Sequence, residues 1–157
     1  MISIKFNRTS GSDQCLPRPE KRSWGAAGWD ICANLNLDQR GKGVKIETGG
    51  LAAIPTGIRL EIPAGFECQV RSRSGLAQKH FVFVLNAPGT IDSDFRGEIL
   101  VLLANLGSEM FTVAHGDRIA QLVFSAVPDV FFVETEDLGA SDRGSSGLGS
   151  TGVASNH

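Results

Sequence analysis

The stretch Asn86 to Asn105, NAPGTIDSDFRGEILVLLAN, decides how this chain is read. Asn86-Ala87-Pro88-Gly89 is a turn signal. It opens into Ile91-Asp92-Ser93-Asp94-Phe95, where strand alternation puts Asp92 and Asp94 on one face and Ile91, Ser93 and Phe95 on the other. After Arg96-Gly97-Glu98 comes an unbroken apolar run, Ile99 to Ala104, short for a helix and rich in branched residues, as a fully buried strand is. Acid groups thus stand at the mouth of a turn braced by a core strand, a site on a rigid support rather than a solvated charge cluster.

Strand patterns continue on both sides. Upstream, Phe81 to Leu85 feeds the turn, and Phe66 to Arg71 alternates Phe66, Cys68 and Val70 with polar residues. Ile58 to Ile62 precedes it, and Pro63-Ala64-Gly65 reads as a three-residue hairpin turn between the two. Phe66 to Arg71 leads into Arg71-Ser72-Arg73-Ser74-Gly75-Leu76-Ala77, where Ser74 is placed to cap a short helix through His80 whose N-terminal amides favour an anion. Nearer the N-terminus, Met1 to Phe6 alternates as a half-buried strand, Val44 to Ile46 is a short strand, and Trp29 to Ala33 is a strand after the small residues of GAAG. Asp30 lies among apolar neighbours in it, and either caps a turn or points into a site.

Downstream, Phe111 to Val113 and Val130 to Val133 read as short strands. Arg118 to Phe124 is a strand whose only polar members, Arg118 and Gln121, require partners if it is buried. About ten strands separated by turns indicate an all-β jelly-roll or barrel-like sandwich.

Composition agrees: 157 residues, 41% hydrophobic, with nineteen glycines and nine phenylalanines, suit one turn-rich domain. A net charge of −2 excludes the global basic footprint of a sequence-independent nucleic-acid binder. Cys15, Cys32 and Cys68 lack pairing or zinc spacing and read as three reduced thiols, implying a reducing, cytoplasmic setting. Neither a signal core nor a membrane-spanning stretch is expected.

From Gly139 the composition shifts to glycine, serine and threonine, a flexible tail by composition. Gly147 to Gly152 spells GxGxxG, but no strand closely precedes it and no helix can follow, so a dinucleotide fingerprint fails its context. Gly144 to Gly149 has Walker-A spacing with Ser150 where the lysine belongs. Repeated glycines still expose backbone N–H groups that, with Arg143, can wrap a polyphosphate.

Taken in order, GAAGWD, RSRSGLA, NAPGTIDSDFRGEI, GDRIAQL and RGSSGLGSTG resemble the five motifs of the trimeric all-β dUTP diphosphatases (dUTPases). The resemblance implies a distorted jelly roll with one short helix, a body over 1–138, and a Gly/Ser-rich C-terminal arm over 139–157 exchanged between the subunits of a homotrimer with shared active sites. It implies hydrolysis of dUTP to dUMP and pyrophosphate by water attack on the α-phosphorus, limiting uracil in DNA and supplying dUMP for thymidylate synthesis. Magnesium would be held by the triphosphate and waters, with no direct protein ligand and Asp30 reaching the metal through water.

By position, Asp92 resembles the carboxylate that orients and deprotonates the water, while Asp94 is structural and pairs with an arginine. Arg73, Ser74 and Gly75 resemble phosphate contacts, Gln121 the residue at the α-phosphate, and Arg143 the bidentate partner of the γ-phosphate. The hairpin of Asn86, Gly89, Thr90, Ile91 and Asp92 would read uracil, with Phe95 packed on deoxyribose and Leu148 over the base. Two positions depart from the family: Phe95 replaces a tyrosine, in a chain with no tyrosine at all, and Leu148 replaces a phenylalanine, so water can be excluded there but no ring stacks.

Rival readings fare worse. A dCTP deaminase needs a catalytic glutamate in the strand after the turn, where Leu102 stands. A paired-carboxylate glycosidase has no sugar platform here. A non-catalytic nucleotide-dependent regulator remains the alternative from another class. No stable nucleic-acid or membrane partner is expected.

Overall fold

Alternating polar and apolar residues become strands along most of the chain in the computed structural model, which describes residues 2–147. Among these residues are eleven strands and one short helix. The strands are β1 (Lys5–Arg8), β2 (Trp29–Cys32), β3 (Val44–Ile46), β4 (Leu51–Pro55), β5 (Ile58–Glu61), β6 (Phe66–Arg71), β7 (Val82–Val84), β8 (Gly89–Ile91), β9 (Leu100–Asn105), β10 (Phe111–Val113) and β11 (Arg118–Ala126), with α1 (Ser74–His80) between β6 and β7. Every pairing is antiparallel: β2-β11-β6-β8, β4-β9-β7, β1-β5 and β3-β10. The expected all-β jelly-roll sandwich is the observed architecture.

The core lies between the two larger sheets. Ile31, Leu122, Val70 and Cys68 face it from one side and Ile54, Val101, Leu103 and Val84 from the other, all but excluded from solvent. At about 25 cal/mol per Å² of apolar surface buried, such side chains contribute roughly 1.5–3 kcal/mol each. Polar groups in the interior are satisfied: Thr56 Oγ1 donates to Ile99 O at 2.7 Å and Asn105 Nδ2 to Ile46 O at 2.9 Å.

Several sequence expectations need correction. Pro63-Ala64-Gly65 is no hairpin: β5 pairs with β1 and β6 with β11 and β8, so the turn passes the chain from one sheet to another. The Ile99–Ala104 run is not buried throughout: Ile99, Val101 and Leu103 are, whereas on the other face Leu100 is 51% exposed, Leu102 is half-buried and only Ala104 is covered. Val130 to Val133 is not a strand; among the described residues nothing pairs with it, and Phe131 and Phe132 stand in solvent at 85% and 101% exposure. The N-terminal strand begins only at Lys5. Ser74 is the first helical residue of α1 rather than its cap: Arg73 holds the cap position with extended backbone, and no side chain caps the helix.

The three thiols are free. Cys15 is exposed, Cys32 partly covered on β2, and Cys68 buried on β6, where burial pushes its pKa to about 12.

Candidate active site

Antiparallel register places Gln121 of β11 directly opposite Asp30 of β2 and opposite Arg71 of β6. Residues three apart on a strand normally face opposite ways. Here the register slips by one between Arg118 and Ala120, a bulge that turns Arg118 onto the same face as Gln121. Both then reach one carboxylate. Arg118 Nη1 donates to Asp30 Oδ2 at 3.0 Å and Gln121 Nε2 to Asp30 Oδ1 at 2.9 Å. Arg73, at the head of α1, adds its Nε at 3.7 Å from Oδ1 and donates through Nη1 to Arg118 O at 2.8 Å.

The Asp30 carboxylate therefore points into this polar cluster rather than capping a turn, and Asp30 is 6% exposed; a charge so buried is tolerable only with such partners. Because Oδ1 can only accept, the Gln121 amide must turn its NH2 to Asp30, which leaves Oε1 as the free end. Gly28 of the GAAGWD segment makes room, since a Cβ there would stand 3.1–3.2 Å from the Gln121 side chain. Cys32, opposite Arg118, has its pKa raised chiefly by burial, with the nearby Arg118 opposing the shift; it stays a thiol rather than a nucleophile. A cleft of about 420 Å³ opens beside Arg73 and Arg118, with His80, Phe111 and Thr112 along it.

The second centre is the Asp92 turn. The expected extended alternation from Ile91 to Phe95 stops at Ile91, because Phe95 N–H closes a turn onto Asp92 O at 3.2 Å. Arg96 Nη1 staples that turn by donating to Ser93 O at 2.7 Å and Phe95 O at 2.9 Å. Arg96, the arginine nearest in sequence, is thus spent on backbone carbonyls, and among the described residues Asp94 makes none of the ion pairs expected with an arginine. Asp92, Asn86 and Thr90 are exposed, Gly89 is buried against β6, and Phe95 is 41% exposed.

These two centres lie on one sheet but do not meet. Ile91 pairs with Cys68, three residues along β6 from Arg71, which pairs with Gln121. Two strand spacings across and three residues along amount to about 14 Å between backbones, beyond the reach of an aspartate and a glutamine. Ser74 and Gly75 are exposed at the start of α1 beside Arg73. Arg143 is exposed and folds on its own segment, donating to Ser146 O at 3.0 Å. Leu148 lies outside the described residues. Arg118 and Gly28 complete the cluster without having been singled out as site residues; the polar Arg118 in an apolar strand was the available signal for one, and nothing marked the other.

Among the described residues no group of three or more His, Cys, Asp or Glu side chains could hold a metal ion, and no helix is long and apolar enough to cross a membrane.

The dUTPase family model matches residues 16–152. A deoxyuridine 5'-triphosphate nucleotidohydrolase of Caulobacter vibrioides is 49% identical over 152 residues, covering 97% of this chain and 96% of that protein. One from Chlamydia trachomatis is 55% identical over 135 residues, 85% of this chain and 90% of its own. In structure, the dUTPase of Staphylococcus bacteriophage 80alpha, solved with dUpNHpp, superposes with a TM-score of 0.81 at 22% identity, over 96% of this chain and 99% of that one. The dUTPase of S. aureus phage phi11, described with a structural Mg(II) ion, gives 0.72 at 19% identity, over 88% and 99%. At such identities the structures speak for the fold alone.

Proposed function

We infer that this chain, which belongs to the dUTPase family, hydrolyses dUTP to dUMP and pyrophosphate. The observation that carries the reading is the family match over residues 16–152, with named nucleotidohydrolases up to 55% identical.

The two polar centres divide the work. Asp92, exposed at its stapled turn, is the base that orients and deprotonates the water attacking the α-phosphorus. Arg73, Ser74 and Gly75 take the phosphates, and Arg143 closes on the γ-phosphate with its planar fork. Gln121 stands at the α-phosphate with Oε1 free to accept a hydrogen bond from the water, its amide held by Asp30. Magnesium held by the triphosphate would supply neutralisation of the phosphate charge. Among the described residues no group of three or more His, Cys, Asp or Glu side chains could cage it, and the lone-pair capacity left on the Asp30 oxygens would hold a metal-bound water.

Backbone groups of Asn86, Gly89, Thr90, Ile91 and Asp92 read uracil, rejecting cytosine by unpaired polar groups and thymine by its methyl. Phe95 packs on the deoxyribose and leaves no room for a 2′-hydroxyl. Leu148, within a C-terminal arm over 139–157, covers the base.

The separation of the centres supports a homotrimer with shared sites, in which Asp92 of one copy works with the Asp30 cluster of another. The exposed segment Val130 to Val133, followed by the acids Glu134, Glu136 and Asp137, fits a groove of about 660 Å³ lined by Ile4, Phe6, Trp29 and Phe124 and rimmed by Arg18 and Lys21. Seating it in a neighbour's groove carries the arm across. Three free thiols suit a reducing cytoplasm.

Incubation with magnesium and dUTP, dCTP, dTTP or UTP tests the reading. Pyrophosphate is expected from dUTP; tight dUTP binding without turnover would point to a regulator, and ammonia from dCTP to a deaminase.

A further inference from the structure

The ring of Phe95 rests on Gly97. A Cβ at Gly97 would stand 2.5 Å from Phe95 Cζ, 2.9 Å from Cε2 and 3.3 Å from Cε1, where carbon atoms in contact keep about 3.5–4.0 Å. The far edge of the ring therefore occupies the space that any other residue at 97 would fill. Gly97 is not among the glycines with positive φ, so its backbone would accept an L side chain. What a side chain at 97 would meet is the neighbouring ring, not a strained backbone.

The ring projects from a backbone that is held in place. The backbone on both sides is fixed: Phe95 N–H bonds Asp92 O, Arg96 ties the carbonyls of Ser93 and Phe95, and Glu98 Oε1 accepts from Gly57 N–H at 2.7 Å. The ring has no hydroxyl to bond, so its place in the turn depends on packing. One side lies on Gly97, and the residue keeps 41% of its surface free for a ligand.

We propose that Gly97 is a specificity-determining positioning residue, the seat that holds the Phe95 ring where it excludes a 2′-hydroxyl. The proposal rests on the reading that Phe95 packs on the deoxyribose. A methyl at 97 displaces only the end of a flexible, partly exposed side chain, which the fold tolerates. The cost falls on selection of the sugar and not on stability.

Four proteins test this: the parent, Gly97→Ala, Phe95→Leu and the double variant, each assayed for kcat and KM with dUTP and UTP and for its urea midpoint. Gly97→Ala is expected to keep the parent's midpoint while its dUTP-over-UTP ratio of kcat/KM falls about tenfold, mainly through KM for dUTP. Phe95→Leu lowers the ratio too, and adding Gly97→Ala to it lowers the ratio no further, since the two act on one contact. An unchanged ratio in Gly97→Ala, or a full additional loss in the double variant, overturns the proposal. If Phe95→Leu itself leaves the ratio intact, the sugar-gate reading fails and the seat loses its purpose with it. Should Gly97→Ala alone unfold, the double variant must recover the fold; one equally unstable counts against the contact.

Discussion

Asp30 and Asp92 carry the same side chain into opposite surroundings. Asp30 is buried with an arginine on one oxygen and an amide on the other, whereas Asp92 stands in solvent at the tip of a stapled turn. Substitution should separate them. Asp92→Asn is expected to lower kcat by about 10²–10⁴ with dUTP KM nearly unchanged and the urea midpoint unmoved, checked by pyrophosphate release. Asp30→Ala is expected to lose stability, about 1–3 kcal/mol by urea titration, and to raise KM as Arg73 and Gln121 come loose. The figure stays at that size because the Arg118 side chain it frees is 42% exposed and can return to water. Sequence alone could pick out both aspartates and could demand partners for Arg118 and Gln121. It could not join them, because that junction depends on a bulge at Ile119 whose slip shows only once two strands are paired.

Between elements, the loop from Thr9 to Leu16 is tied down by a small polar network. Asp13 Oδ1 accepts from Cys15 N–H at 2.8 Å and Oδ2 from His115 Nε2 at 3.1 Å, while His115 Nδ1 accepts from Leu35 N–H at 3.0 Å. The Cys15 amide, and after it the His115 hydrogen bond, hold the Asp13 carboxyl below the ordinary aspartate value of 3.8. A carboxyl lowered in the folded state stabilises the protein above its unfolded value and loses that effect as pH falls through the folded one. Asp13→Asn is therefore expected to have a lower urea midpoint than the parent at neutral pH, and the gap should close as pH falls below 3.8. Strands such as Phe66–Arg71 and Phe111–Val113 were legible to the residue because alternation is a local signal. Their partners were not: Pro63-Ala64-Gly65 looks like a hairpin until β5 is seen to choose β1, a pairing set by distant residues. The turn at Asp92 likewise escaped the alternation pattern, since Arg96 overrides it through backbone carbonyls.

At the scale of the whole molecule, one chain holds two separate polar centres and an exposed apolar segment. Val130 to Val133 reads as a strand by composition, and its exposure fits a strand whose partner belongs to another copy. Replacing Phe131 and Phe132 together with aspartate is expected to shift the mass in sedimentation from three chains toward the single 16.7 kDa chain and to abolish dUTP turnover, with the far-ultraviolet spectrum of the body retained. A double variant that remains a fully active trimer would dismiss the exchange. The free thiols offer a way to watch such changes, since Cys15, Cys32 and Cys68 run from exposed through half-covered to buried, and the last, pushed up to about 12, has almost no thiolate at neutral pH. Alkylation with a maleimide of altered mass should then proceed as a clock with three hands: Cys15 labelled at once, Cys32 as β2 loosens at the sheet edge, and Cys68 only when the barrel opens. Counting adducts over time would report local and global opening in a single untagged sample.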